Sequence, residues 1–287
     1  MLVNGSDCTI IIKTSSMEFD VPYSDETIRD AISILEENAS IEGDGSCKGI
    51  QKKSGVKGCV VSMLTLGTAP LLLYLAMGAV GNPIFISETK NLFKYDLSLV
   101  PLEDTDNFEL IQDRVNKRIH FIGCRVIGFE LRIFRDEAIK LKLNITGEYP
   151  AREYPYTNDL GREAGERFNG NGVNYIINGK ENNNVYGVTL VSKKKGGTKT
   201  EIWIKRVLDK KKDIPFDIEE MIITAQLLRE KYEYRFYGSF RITVKNLVLI
   251  SDETEIKASG AVIGPLRFYV SGGVSTEVFT SGEEIRP

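Results

Sequence analysis

Phe121-Ile122-Gly123-Cys124-Arg125-Val126-Ile127-Gly128-Phe129-Glu130-Leu131-Arg132-Ile133-Phe134, followed by Asp136-Glu137-Ala138-Ile139-Lys140-Leu141-Lys142-Leu143-Asn144-Ile145-Thr146-Gly147, is the stretch that decides the fold. Val126, Phe129, Leu131 and Ile133, then Ile139, Leu141, Leu143 and Ile145, recur close to every second position, the period of a half-buried strand. A charged turn separates the two runs, so together they predict a long antiparallel hairpin.

Upstream, residues 58–87 hold no charge, and Leu71-Leu72-Leu73-Tyr74-Leu75-Ala76-Met77 invites a transmembrane reading. Gly67, Pro70, Gly78, Gly81 and Pro83 punctuate the run. It reads better as a strand from Cys59 to Leu66, a buried helix from Ala69 to Ala79 with Pro70 in its first turn, and a return segment. Leu71, Leu72 and Leu75, with Phe129 and Leu131 of the hairpin, are the predicted core anchors. Thr9 to Thr14 predicts a strand, and Gly43 to Gly58 a loop. Leu92 to Val100 is extended, and Asp104 to Asp113 is turn-like. Ser24-Asp25-Glu26-Thr27 ahead of Ile28, Ala31, Ile32 and Leu35 fits a capped amphipathic helix to Asn38, or a loop that orders on assembly.

Residues 149–172 are rich in Tyr, Pro, Asn, Gly and charge without a period, which places a linker or long loop between a first domain, 1–148, and a second, 173–287. The second half predicts strands at Val173–Ile177, Val185–Ser192 and Thr200–Leu208, with the basic turn Lys193-Lys194-Lys195-Gly196-Gly197 joining the last two. A helix from Phe216 to Lys231 and further strands to Val278 follow. The fold class is therefore mainly β: an antiparallel sandwich or barrel with a flanking helix, plus a second β-rich domain with one helix. Phe236-Tyr237-Gly238 precedes a strand and Asp252-Glu253, as Phe121-Ile122-Gly123 precedes a strand and Asp136-Glu137. The second half is either a duplicate of the first or a separate decoration.

The 287 residues carry 37 basic and 40 acidic side chains, a net charge of -3, which argues against a chain whose main task is to grip nucleic acid. Cys8, Cys47, Cys59 and Cys124 form no Cys-x-x-Cys pair, pointing to neither zinc nor a disulfide framework and to synthesis in a reducing cytoplasm. The N-terminus lacks the basic and apolar regions of an export signal.

His120 is the single histidine, and no partner for a nucleophilic triad can be assigned to it. Gly43-Asp44-Gly45-Ser46-Cys47-Lys48-Gly49 is too irregular for a phosphate cradle, and Ser54-Gly55-Val56-Lys57 stands without the motifs that accompany a catalytic Ser-x-x-Lys. Glu36-Glu37 and Glu103, Asp104 and Asp106 read as solvated carboxylates, and Lys193-Lys194-Lys195 and Lys210-Lys211-Lys212 as solvated turn lysines. The sequence offers no catalytic residue, metal ligand or cofactor site, and the expectation is a protein that is not an enzyme.

Phe19-Asp20-Val21-Pro22, the arm from Ser24 to Ile41, Gly55-Val56-Lys57-Gly58-Cys59-Val60-Val61-Ser62-Met63, the apolar helix Pro70 to Gly78 and Phe121-Ile122-Gly123-Cys124-Arg125-Val126 occur in an order that resembles tail tube proteins of long-tailed bacteriophages. More distantly, it is similar to the stacked-ring tube protein of type VI secretion. The resemblance covers residues 8–147. It implies a structural virion protein of the tail, assembled in the bacterial host cytoplasm, whose rings stack into a tube through which DNA is ejected. The implied partners are further copies of the chain, as six-chain rings or as three-chain rings of pseudo-sixfold symmetry, a tape-measure protein and a tail terminator. DNA would be in transit only, past an acidic or mixed lumen, and the chain would not insert into a membrane. Inter-ring contacts would come from Ser24, Glu26, Ile28, Ile32 and Leu35 in the arm, and from Phe85 and Ile86 in the loop Asn82 to Lys90.

Two other readings stay open. One is a different tail component, such as a baseplate, terminator or adaptor ring. The other is a carbohydrate-binding β-sandwich, with Trp203 and the tyrosines as platforms.

Overall fold

The computed structural model describes residues 9–14, 18–21, 23–26, 29–35, 50–80, 84–87, 92–114, 117–147, 152–154, 167–207, 214–231, 234–253 and 263–281. The first half runs β1 (Thr9–Lys13), β2 (Glu18–Val21), β3 (Tyr23–Glu26), β4 (Arg29–Leu35), β5 (Ile50–Met63), α1 (Ala69–Met77), β6 (Gly78–Val80), β7 (Ile84–Ser87), β8 (Leu92–Leu99), β9 (Phe108–Arg114), β10 (Lys117–Phe134), β11 (Lys140–Gly147) and β12 (Arg152–Tyr154). The second half continues with β13 (Val173–Ile177), β14 (Lys180–Glu181), β15 (Val185–Lys193), β16 (Lys199–Val207), β17 (Asp217–Lys231), β18 (Tyr234–Asp252), β19 (Ile263–Val270) and β20 (Val274–Ser281). The fold is mainly β and antiparallel, with one α-helix among the described residues.

The hairpin read from the sequence is β10–β11, with Leu131 opposite Leu141 and Phe129 opposite Leu143, all four buried. Alternation puts Leu141, Leu143 and Ile145 inside and Lys140, Lys142 and Asn144 outside. From β10 outward the strands run β9, β1, β2 on one side and β11, β5, β3 on the other. From β18 they run β17, β13, β14 on one side and β19, β16, β15 on the other. The two halves thus repeat one strand order, β2-β1-β9-β10-β11-β5-β3 and β14-β13-β17-β18-β19-β16-β15. The repeat extends to β12 and β20, each pairing with the early part of its long strand on the side that β11 or β19 takes later. What the first half adds is β4 and α1 with β6, β7 and β8, and β8 pairs with β20 of the second half.

Helix α1 starts at Ala69 as expected and stops at Met77, two residues before the expected Ala79, where Gly78 takes φ 97° and its N–H donates to the Tyr74 carbonyl. Pro70 lies in the first turn. All nine helical residues are buried, in keeping with a helix that is apolar all round. Leu71 and Leu72 are fully enclosed, and Leu75, Phe129 and Leu131 join them in one apolar core that runs through both halves. No helix among the described residues is long and apolar enough to cross a membrane.

Several expectations are corrected. Where a helix was expected from Ser24 to Asn38, β3 and β4 form instead, both hydrogen-bonded to β5. Short isolated helices are marginal, and here β5 offers a full ladder. The expected helix Phe216 to Lys231 is β17, a strand flanked by β13 and β18. Its buried Met221, Ile223 and Ala225 alternate, and Ile222-Ile223-Thr224 is β-branched. The second domain therefore lacks its predicted helix among the described residues. The loop expected at Gly43 to Gly58 is strand from Ile50 onward, and the turn-like stretch from Asp104 gives way to β9 at Phe108. Part of the expected linker is structured: β12 pairs with β10, and Phe168 is buried beside Phe240, their rings 5.2 Å apart.

Candidate interaction surfaces

The two halves are joined by strand pairing. Gly128 to Phe134 of β10 pairs with Lys193 to Gly187 of β15, so β9 borders the first part of β10 and β15 the last part on the same edge. Small residues allow this approach: a Cβ on Gly128 would lie 2.6 Å from the Ser192 carbonyl, and one on Gly187 would lie 2.3 Å from the Phe134 ring. The Lys194 N–H donates to the Ile127 carbonyl at 2.8 Å. The side chain of Lys194 is buried, 2% exposed, and its Nζ donates to the Met77 carbonyl at the C-terminus of α1 at 3.1 Å. Burial pushes its pKa down to about 8. Lys194 is therefore not the solvated turn lysine expected of it: the turn folds it back under the first half.

The same edges recur without a partner strand among the described residues. On the edge opposite β5, no strand pairs with β3 among the described residues, although β15, its counterpart, pairs there with β10. From Leu249 onward no described strand borders β18 on the β17 side, where β10 has β15. Three large apolar side chains are exposed near this edge: Phe216 at 54%, Val248 at 55% and Ile250 at 48%. Arg29 to Leu35 pairs with Lys57 back to Ile50, whereas β11 borders β5 only from Val56, so β4 and the start of β5 form a two-stranded ribbon beyond the sheet.

The sequence-predicted contact residues separate into these features. Ser24 and Glu26 lie on β3, Ile32 and Leu35 on the ribbon, and Ile28 outside the described residues. Phe85 and Ile86 lie on β7, not in a loop; Phe85 is 47% exposed and packs on Phe93 at 5.2 Å between ring centroids. β7 pairs with β8, and β3 with β5.

Across the seam, β5, β11, β10, β15, β16 and β19 make one continuous sheet whose inner face is the core. Its outer face, among the described residues, carries nine basic side chains and two acidic ones. Both acids are already paired: Glu130 with Arg132 at 3.6 Å, and Glu201 with Arg267 at 2.8 Å. The Arg267 guanidinium also lies 5.3 Å from the centre of the Trp203 ring. Sequence reading missed this surface because the cations come from six separated segments. The alternation of Lys140 and Lys142 with Leu141 and Leu143 was the one visible signal.

Chemistry offers less. His120 Nδ1 is 3.9 Å from Glu109 Oε2, and burial lowers its pKa against the opposing pull of that carboxylate. Burial pushes the Cys124 thiol up to about 12, leaving it protonated and poorly nucleophilic. Among the described residues no three His, Cys, Asp or Glu side chains gather closely enough to hold a metal ion. Compared with known proteins, the chain matches no protein-family model and no curated sequence.

Proposed function

We propose that this chain is a structural, non-enzymatic virion protein that assembles edge to edge into rings and, by stacking, into a bacteriophage tail tube for DNA ejection. The observation that carries the reading is the repeated strand order with an internal β10–β15 seam. A chain that joins two copies of one unit through strand edges, and whose corresponding edges on β3 and β18 meet no strand among the described residues, has the means to repeat the junction between chains. Exposed strand edges are hazards in a monomer and assembly surfaces in a closed ring. Two like units per chain favour three chains in a ring of pseudo-sixfold symmetry over six chains with an outer decoration. The ribbon of β4 and β5 supplies the bridge between rings, and a tape-measure protein and tail terminator are the expected further partners.

A second reading has its own support. The outer face of the joined sheet is basic, whereas a conduit works best with an acidic or mixed wall, since cations hold phosphates. An adaptor or terminator ring that retains a polyanion would suit that face.

Negative-stain electron microscopy of the purified chain at rising concentration tests both. Hollow tubes with threefold symmetry are the expected result. Single rings that never stack would move the assignment to the adaptor, and a persistent monomer without pores would refute ring assembly.

A further inference from the structure

Several cross-strand cations elsewhere in this protein are matched with acids, although Lys117 stands opposite Arg114 where β9 meets β10. Lys13 stands opposite Glu18, Arg118 opposite Asp113 and Arg241 opposite Glu277, and each is within ion-pair distance. The joined sheet places Glu130 opposite Lys142 but otherwise breaks the pattern. On its outer face Lys193 stands directly opposite Lys199 and Arg132 directly opposite Lys140. Like charges placed opposite one another destabilise a sheet, and a chain with more acids than bases had acids to place there. Among the described residues, no carboxylate forms an ion pair with Lys57, Lys140, Lys142, Lys193 or Lys199.

We infer that this face binds the sugar-phosphate backbone of nucleic acid. A surface of uncompensated cations is stabilised by an external anion of matching extent. From β5 to β19 the face spans six strands, or about 24 Å at about 4.8 Å per spacing, and its charges are dispersed over that width. A duplex offers a charge roughly every 1.7 Å of its axis, so it can engage dispersed lysines together. An acidic polypeptide would be expected to add apolar anchors at the centre of its interface. None of the exposed large apolar side chains lies on β11, β10 or β15, the centre of this face. Trp203, 40% exposed and stacked by Arg267, sits toward one side, where it can meet a frayed or single-stranded base. The inference concerns a surface present on one chain, so it holds whether or not rings form.

The test is fluorescence anisotropy of a labelled 20-base-pair duplex against the full chain between 50 and 200 mM NaCl. Micromolar binding at the lower salt is expected, with a slope of log K on log salt of about -4.5 if five lysines engage. Lys140→Glu with Lys142→Glu should weaken binding by about tenfold or more and flatten the slope by about two. Lys193→Glu with Lys199→Glu should act alike, guarding against a folding defect in either pair, with circular dichroism as the check. Lys180→Glu, on β14 outside the face, should change nothing. The inference is overturned by no binding at 50 mM, by equal loss in Lys180→Glu, or by labelled poly-glutamate binding more tightly than the duplex, which would assign the face to an acidic protein.

Discussion

Lys194→Met should stabilise the protein at neutral pH and lose that advantage in alkali. Lys194 is buried, and its pKa falls from 10.5 to about 8 through loss of hydration. At about 1.4 kcal/mol per pKa unit, holding the proton costs the native state about 3 kcal/mol at pH 7, below both values. Against this stands the hydrogen bond from Nζ to the Met77 carbonyl, worth about 1–2 kcal/mol. That carbonyl also accepts the Val100 N–H at 2.9 Å, so it keeps a partner when the lysine is removed. Methionine fills a similar volume without charge, giving a net gain of about 1–2 kcal/mol. Between pH 8 and 10.5 the unfolded chain still holds the proton that the native chain has released, so wild-type stability rises relative to the variant across that window. Above 10.5 the wild type, neutral and still hydrogen-bonded, should be the equal or better of the two. Urea unfolding of both proteins at pH 7, 8.5 and 10.5 measures the difference, and titrations common to both, including those of Tyr74 and Tyr175, cancel in it. Parallel stabilities across the window would refute the account of Lys194 as a buried, desolvated cation.

Leu71→Asp places a carboxylate in the fully enclosed core around α1, at a cost of several kcal/mol, and should yield no soluble folded protein; a soluble variant with native circular dichroism would count against the packing of α1. Gly128→Val drives a side chain into the Ser192 carbonyl, which already lies 2.6 Å from a bare Cβ, and should open the β10–β15 seam at a cost of about 2 kcal/mol or more. Amide exchange would report it as lost protection in β15, and unchanged protection would refute the seam as drawn. Replacing residues 31–55 by Asn-Gly removes the ribbon but keeps β3 on the sheet. Under the tube reading, electron microscopy should then show rings without tubes, and tubes of normal length would remove the ribbon from stacking.

The residues themselves determined the parts in which local pattern and burial agree. Period-two alternation from Val126 to Ile145 specified the β10–β11 hairpin, and an uncharged run opened by Pro70 and closed by Gly78 specified a buried helix. Phe121-Ile122-Gly123 and Phe236-Tyr237-Gly238 hinted at a repeat whose full extent appears only in the matching strand order. Residues 24–38 and 216–231 were misread because their apolar spacing satisfies a helix nearly as well as a strand, and the deciding factor was a neighbouring strand with open hydrogen-bonding groups. Tertiary structure alone decided three further things: that β15 completes the edge of β10, that one lysine of a three-lysine turn is buried beneath α1, and that cations from six segments share one face. Each depends on which strands meet and in what register, and register is set by long-range pairing that no local window of sequence contains.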